Sequence, residues 1–279
     1  MHTFIVCFFL GVVNDQASFV AEYVPAFERL TKAYSRIELD ATIRRFENGT
    51  PIDCTAGRCL LFDENEQLTL GPCDAKTPTY MVNAEGVPET SVHNYTSTGF
   101  FALSKPISAD KFSIDIIKPI SKTSRSLLDK VLWGSFLPIS APFGRFGFLA
   151  GQICRSPNFS ATSVASQPDG KVRVDFRYIT DQKMNIVGYW IFDLTNDWVI
   201  VEQEVLGANA AGLSHSTSSL IRCHYDGKID GVPKLVRVEE FGRTAKPANE
   251  NRYTTIDITR LIPLKTAEAF NINKFDIEK

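Results

Sequence analysis

The sequence predicts an α+β, mainly β protein: a strongly curved, unclosed antiparallel sheet wrapped around two or more helices. Three observations lead there. Short runs of β-branched and aromatic residues recur along most of the chain, separated by Asn-, Asp-, Gly- and Pro-containing turns. They are densest in Lys171–Leu206, where Val172–Ile179, Ile186–Leu194 and Trp198–Leu206 are divided by Thr180–Asn185 and Thr195–Asp197. Two stretches, Phe19–Ser35 and Ser124–Phe136, instead place apolar residues at three- and four-residue steps. Finally, Val187–Leu194 is apolar on both faces, Tyr189 and Ile191 pointing one way and Trp190, Phe192 and Leu194 the other. A sheet with one wet face does not read like that, so helices are expected to cover the second face.

The elements follow in order. Thr3–Val13 has the length and apolarity of a signal-peptide core but lacks Lys or Arg ahead of it, so residues 1–18 read as a degenerate or truncated signal segment, with a buried first strand as the rival. Residues 19–279 read as a single unit, interrupted by a helix-and-loop insertion at 119–158. Phe19–Ser35 is an amphipathic helix with Val20, Tyr23, Val24, Phe27, Leu30 and Tyr34 on one side and Ser18 placed to cap it. Pro25 either kinks it or moves its start to near Val24. From Ile37 the period becomes two, and Ile37–Phe46 is the first strand. Arg58–Asp63, Glu66–Leu70, Thr79–Asn83, Val92–Tyr95, Gly99–Lys105 and Lys111–Lys118 are further strands. Leu137–Asn158 is rich in Pro, Gly and Phe and too apolar for a linker, so it suggests a lid, a cavity rim or a buried connection. Phe159–Ser166 leads through the turn Gln167–Gly170 into Lys171–Leu206. Ser218–Tyr225, Pro233–Glu240 and Arg252–Ile262 close the sheet, and Phe270 and Phe275 anchor the tail.

Composition narrows function. Among 279 residues, 44% are hydrophobic and 22% charged, ordinary for a folded chain, and a formal charge of −2 leaves no polycationic footprint for nucleic acid. No apolar run reaches the ~20 residues of a membrane-spanning helix. Cys54 and Cys59 bracket Thr55–Arg58, which reads as a hairpin turn, so Cys54–Cys59 or Cys59–Cys73 is the expected disulfide in an oxidising compartment, with free buried thiols the equal alternative. These spacings do not form zinc knuckles, and no metal or cofactor is expected. No nucleophile elbow, phosphate-binding glycine loop or paired carboxylates stand out. Cys223 and His224 are adjacent on a strand and so point to opposite faces. His215 and His224 are the only support for a hydrolase. The sequons Asn48, Asn94 and Asn158 matter only in a glycosylating host.

What remains is apolar surface. Twenty Phe residues against three Met need burial or a cavity to line. Trp133, Phe136, Phe143, Phe146 and Phe148 gather near the insertion, with Leu128 and Leu132 on its helix. Phe176, Tyr178, Trp190, Phe192 and Trp198 sit on central strands. All of these except Phe143 are candidates for an apolar ligand cavity between sheet and helices; ordinary core packing is the competing reading of each.

The order of elements resembles the LolA/LolB-like superfamily of outer-membrane lipoprotein carriers, of which this chain reads as a divergent relative. The likeness runs through Arg29-Leu30-Thr31-Lys32-Ala33-Tyr34 ending the first helix, the strand Ile37–Phe46, the inserted helix Ser124–Phe136, Gly188-Tyr189-Trp190-Ile191-Phe192-Asp193, and the tail Ala269–Phe275. It implies a half-barrel whose hydrophobic cavity holds a small apolar molecule or acyl chain without bond-making, with an envelope protein as a further partner and a periplasmic or secreted location. The chain is longer than such carriers, and the cysteine-bearing stretch from Cys54 to Cys73 is extra. The alternatives are a structural or interaction module whose own side chains fill the same scaffold and, weakest, an envelope hydrolase.

Overall fold

The computed structural model describes residues 15–63, 65–74, 76–96, 99–119, 141–145, 148–180, 183, 185–208, 218–243, 252–266 and 272–278. The predicted helix Ser124–Phe136 and the segment before Asp15 lie outside them.

Helix α1 spans Gln16–Tyr34. Asp15, rather than Ser18, caps it, accepting the Ser18 backbone N–H at 2.8 Å. Pro25 lies inside the continuous helix on its exposed side. The apolar stripe is buried as predicted, with Phe19, Tyr23, Phe27, Leu30 and Tyr34 at most 5% exposed.

Strands β1 (Arg36–Glu47), β2 (Thr50–Phe62), β3 (Asn65–Pro72), β4 (Glu89–Tyr95), β5 (Gly99–Pro106) and β6 (Ser113–Pro119) form one antiparallel meander. A small ribbon of β7 (Gly144–Arg145) and β8 (Phe148–Leu149) and a single-turn helix α2 (Ala150–Ile153) follow. The second meander comprises β9 (Phe159–Gln167), β10 (Lys171–Ile179), β11 (Asn185–Asp193), β12 (Val199–Ala208), β13 (Ser218–Ile229), β14 (Val232–Arg243) and β15 (Arg252–Pro263). β1 pairs with β15, and this union of first and last strands fuses the two meanders into one thirteen-stranded sheet, ordered β6-β5-β4-β3-β2-β1-β15-β14-β13-β12-β11-β10-β9.

The mainly β antiparallel reading holds; the strong curl and the plural helices do not. The sheet is open, β6 and β9 forming its two edges. Among the described residues α1 is the one helix longer than a single turn. Length explains how it suffices. Nineteen residues make a rod of about 28 Å, close to the ~24 Å separating β9 from β14 across five strand spacings. α1 runs across the strands: Gln16 Oε1 accepts the Ala161 N–H of β9 at one end, and Tyr34 reaches Pro233 of β14 at the other. A helix crossing the strands covers this half without strong curvature.

The second face of β10–β15 corrects another expectation. No helix among the described residues covers it. Long charged side chains lie over it instead, pairing from strand to strand: Tyr189 with Glu202 at 2.9 Å, Glu202 with Arg222 at 2.9 Å, His224 with Glu239 at 3.4 Å, and Arg237 with Asp257 at 3.3 Å. Their aliphatic stems shield residues such as half-buried Ile191, which is how an outward apolar residue is tolerated there. The tail beyond 271 packs on the other half, Phe275 meeting Phe101 and Phe112 and Ile277 bridging to Phe112.

Two local readings also change. Thr55–Arg58 is the middle of the uninterrupted strand β2, and Thr79–Asn83 forms only an isolated bridge from Val82 to Pro88.

Candidate functional site

The predicted aromatic wall is real as a cluster and filled by the protein's own rings. Alternation on β10 and β11 turns Phe176, Trp190 and Phe192 inward, each at most 2% exposed. Phe176 stacks on Trp190 at 3.8 Å, and Phe159 of β9 lies 6.1 Å from the same indole. From the helix side, Tyr23 meets Phe192 at 4.5 Å and Phe19 meets it at 5.3 Å. Tyr178 packs at the margin of this core. The side chains of α1 thus pack directly over these strands. Phe143 belongs to the same core, edge-on to Phe27 and Tyr34. Leu128, Leu132, Trp133, Phe136 and Phe146 lie outside the described residues. Phe148 is placed through the backbone of β8 alone.

Trp198 differs from the other wall residues. It is in the β11–β12 hairpin turn, one residue before the strand it was expected to open. One side of its indole packs on Phe192 at 5.9 Å and on Phe19 at 6.1 Å. The residue also lines an open cleft of about 1060 Å³. Sequence reasoning missed this cleft, which forms where three hairpins meet the end of α1. The helix and the start of β1 contribute Arg29, Lys32, Ala33 and Arg36, and the β2–β3 turn contributes Asp63. Leu194, Asp197 and Trp198 come from β11–β12; Lys228, Asp230 and Val232 come from β13–β14.

The turns around the cleft have left-handed backbone. Asp63 has φ 54°, Asp197 58°, Trp198 60° and Asp230 47°. Asp and Asn visit this region readily, whereas a bulky aromatic there is an outlier costing about 1–2 kcal/mol. The Trp198 N–H bonds the Asp193 carbonyl at 2.9 Å, and its ring is locked in the core, so packing outweighs the backbone cost. Charge tightens the rim. Arg29 pairs with Asp197, and Arg36 grips Asp63 through two bonds of 2.7 and 2.9 Å, which raises the Arg36 pKa.

The reactive side chains are placed unfavourably for nucleophilic chemistry. Cys59, Cys154 and Cys223 are buried thiols, and burial pushes all three pKa values up, that of Cys223 to about 12. Such thiols are poor nucleophiles. His224 faces Glu239 on the outer side of the sheet, away from buried Cys223. His93 is packed beside Phe100, and burial lowers its pKa. His215 lies outside the described residues. No group of three or more His, Cys, Asp or Glu is gathered to hold a metal among the described residues.

The disulfide joins Cys54 to Cys73, neither of the pairings expected. The β2–β3 register sets Thr55 opposite Pro72, so the next positions outward face each other across the ladder. Cys59 is held opposite Leu68 deeper in the same pair of strands. Among the sequons, Asn48 and Asn158 are exposed, but Asn94 is fully buried and closed to modification in the folded chain.

No family model and no curated protein matches this sequence. Among solved structures, the chain is similar to a DUF1329 family protein from Desulfovibrio piger, at 10% identity over 92% of this chain and 98% of that one, with a TM-score of 0.49. It also has a fainter likeness to MucB in complex with MucA(peri), at 7% identity over 88% and 100% of the respective chains, with a TM-score of 0.18.

Proposed function

We propose that this chain is a non-enzymatic protein of the cell envelope that works by binding, as an interaction module with a filled interior. The observation that carries the reading is the packing of Phe19 and Tyr23 against Phe192 and of Phe159 and Phe176 against Trp190, which leaves these wall residues at most 5% exposed. A ligand entering there has to displace aromatic contacts already made. The buried, high-pKa thiols support a role without bond-making. The Cys54–Cys73 bridge supports, weakly, an oxidising compartment. Divergent kinship to the lipoprotein carriers rests on the order of helix and strands and belongs to the same proposal.

The second reading, carriage of an apolar molecule, is favoured by one feature: Trp198 lines an open cleft while touching the core. A protein with Trp133 and Trp198 replaced by Phe reports on Trp190 alone. Titration with a long-chain fatty acid is expected to leave its emission unchanged. A saturable shift in emission would mean that the interior accepts an apolar ligand and would reject the filled-core reading.

A further inference from the structure

We infer that the cleft at the end of α1 is a binding site for an anionic amphiphile, a carboxylate or phosphate carrying an apolar group. This rests on the binding role proposed above and assigns it a place and a ligand class.

The chemistry of the lining points there. Two of its four cations are already engaged, Arg29 by Asp197 and Arg36 by Asp63. Lys32 and Lys228 are exposed and have no ion-pair partner among the described residues. Asp230 is the one lining carboxylate not engaged by an arginine, so the two ammonium groups outnumber it. The same cleft is lined by half-buried Leu194 and by the edges of the mostly buried Trp198 and Val232. An ion lacking an apolar part makes no use of the accessible part of that apolar lining, chiefly Leu194; an alkyl chain lacking charge makes no use of the excess ammonium charge. One molecule carrying both engages both surfaces. The space, about 1060 Å³, is ample for one such molecule. The walls are preorganised: Trp198 is clamped by the core, and the Arg36–Asp63 and Arg29–Asp197 pairs tie the hairpin turns to the helix end. This site is distinct from the aromatic interior, where α1 already fills the surface.

Isothermal titration calorimetry on the full chain with monomeric dodecyl phosphate tests the assignment, beside inorganic phosphate and dodecyl maltoside. Dodecyl phosphate is expected to bind at least about tenfold more tightly than either control, and more weakly as salt rises. Lys32→Ala with Lys228→Ala should weaken it about tenfold, while Lys32→Arg with Lys228→Arg retains it. Both lysines are exposed, and thermal unfolding of the variants checks that the fold is intact. Equal affinity for dodecyl maltoside, no binding, or undiminished binding by the alanine variant would overturn the proposal. The two readings fail separately: absence of binding removes the cleft site and leaves the filled core standing, whereas binding that shifts Trp190 emission rejects the filled core. Phosphatidic acid vesicles distinguish a membrane source from a soluble one: extraction of monomer into the cleft supports the site, and adsorption to vesicles unaffected by the alanine substitutions counts against it.

Discussion

Removal of a single oxygen atom tests how α1 is fixed to the sheet. Tyr34 is 1% exposed. Its hydroxyl donates to the Pro233 carbonyl at 2.9 Å and accepts the Leu235 N–H at 2.9 Å. The β13–β14 register slips at this point, passing from Tyr225↔Leu235 to Lys228↔Pro233. The bulge leaves backbone groups of β14 without their ladder partners, and the Tyr34 hydroxyl supplies the missing bonds. Tyr34→Phe keeps the ring and its edge-on contact with Phe143 and removes only this bridge.

An unsatisfied buried backbone group costs about 1–3 kcal/mol. Two are created here, partly offset by the easier burial of Phe, so the expected loss is about 2–4 kcal/mol. Tyr23→Phe is the matched control: Tyr23 is also 1% exposed and packs through its ring, 4.5 Å from that of Phe192. Its change should be about 1 kcal/mol or less, the net worth of one ordinary hydrogen bond at most. Urea unfolding followed by circular dichroism should show a lower midpoint for Tyr34→Phe with an unchanged slope. A Tyr34→Phe protein as stable as the Tyr23→Phe protein would refute the claim that this hydroxyl completes the ladder.

Three further outcomes follow from the structure. Burial lowers the His93 pKa, so the unfolded chain takes up its proton first; stability should fall as pH drops below about 6.5 and level off once the folded-state imidazole is protonated, and His93→Phe should flatten that part of a melting-temperature profile. Reducing the Cys54–Cys73 bridge, which closes a separation of 19 residues, should cost about 3 kcal/mol in urea unfolding, while Cys59, Cys154 and Cys223 should resist a thiol reagent until the chain unfolds. Gly188→Ala drives a Cβ into the Glu204 carbonyl oxygen and must part β11 from β12, costing about 3 kcal/mol, whereas Gly242→Ala meets nothing within 4 Å and should be close to neutral by the same measurement.

Local signals reached the strands and α1 because each is written in a short period. Ile37, Leu39, Ala41 and Ile43 alternate and are all buried; Phe19, Tyr23, Phe27 and Leu30 repeat at helical spacing and are all buried. What exceeds one element was not legible. Apolar residues on both faces of Val187–Leu194 suggested a second covering layer, because alternation does not show that neighbouring strands bring Glu202, Arg222 and Glu239 to shield the outer side. Thr55-Ala56-Gly57-Arg58 has turn-like composition, yet pairing on both sides, to β1 and to β3, holds it extended. That error carried into the disulfide, since a false turn placed Cys54 opposite Cys59.

The cleft was hidden for a related reason. Its residues come from four separate parts of the chain, around 29–36, 63, 194–198 and 228–232, and none of these carries a motif. Only the fusion of the two meanders through β1 and β15 brings the β2–β3 turn to the same end of the sheet as the β11–β12 and β13–β14 turns. One trace of it was nevertheless present in the sequence. Trp198 follows Thr195-Asn196-Asp197, so a bulky aromatic stands where turn chemistry favours small or polar residues. Taken as the first residue of a strand, it was assigned to the wall. As a turn residue with φ 60°, it marks where the core reaches the surface between charged hairpins, at the wall of the cleft.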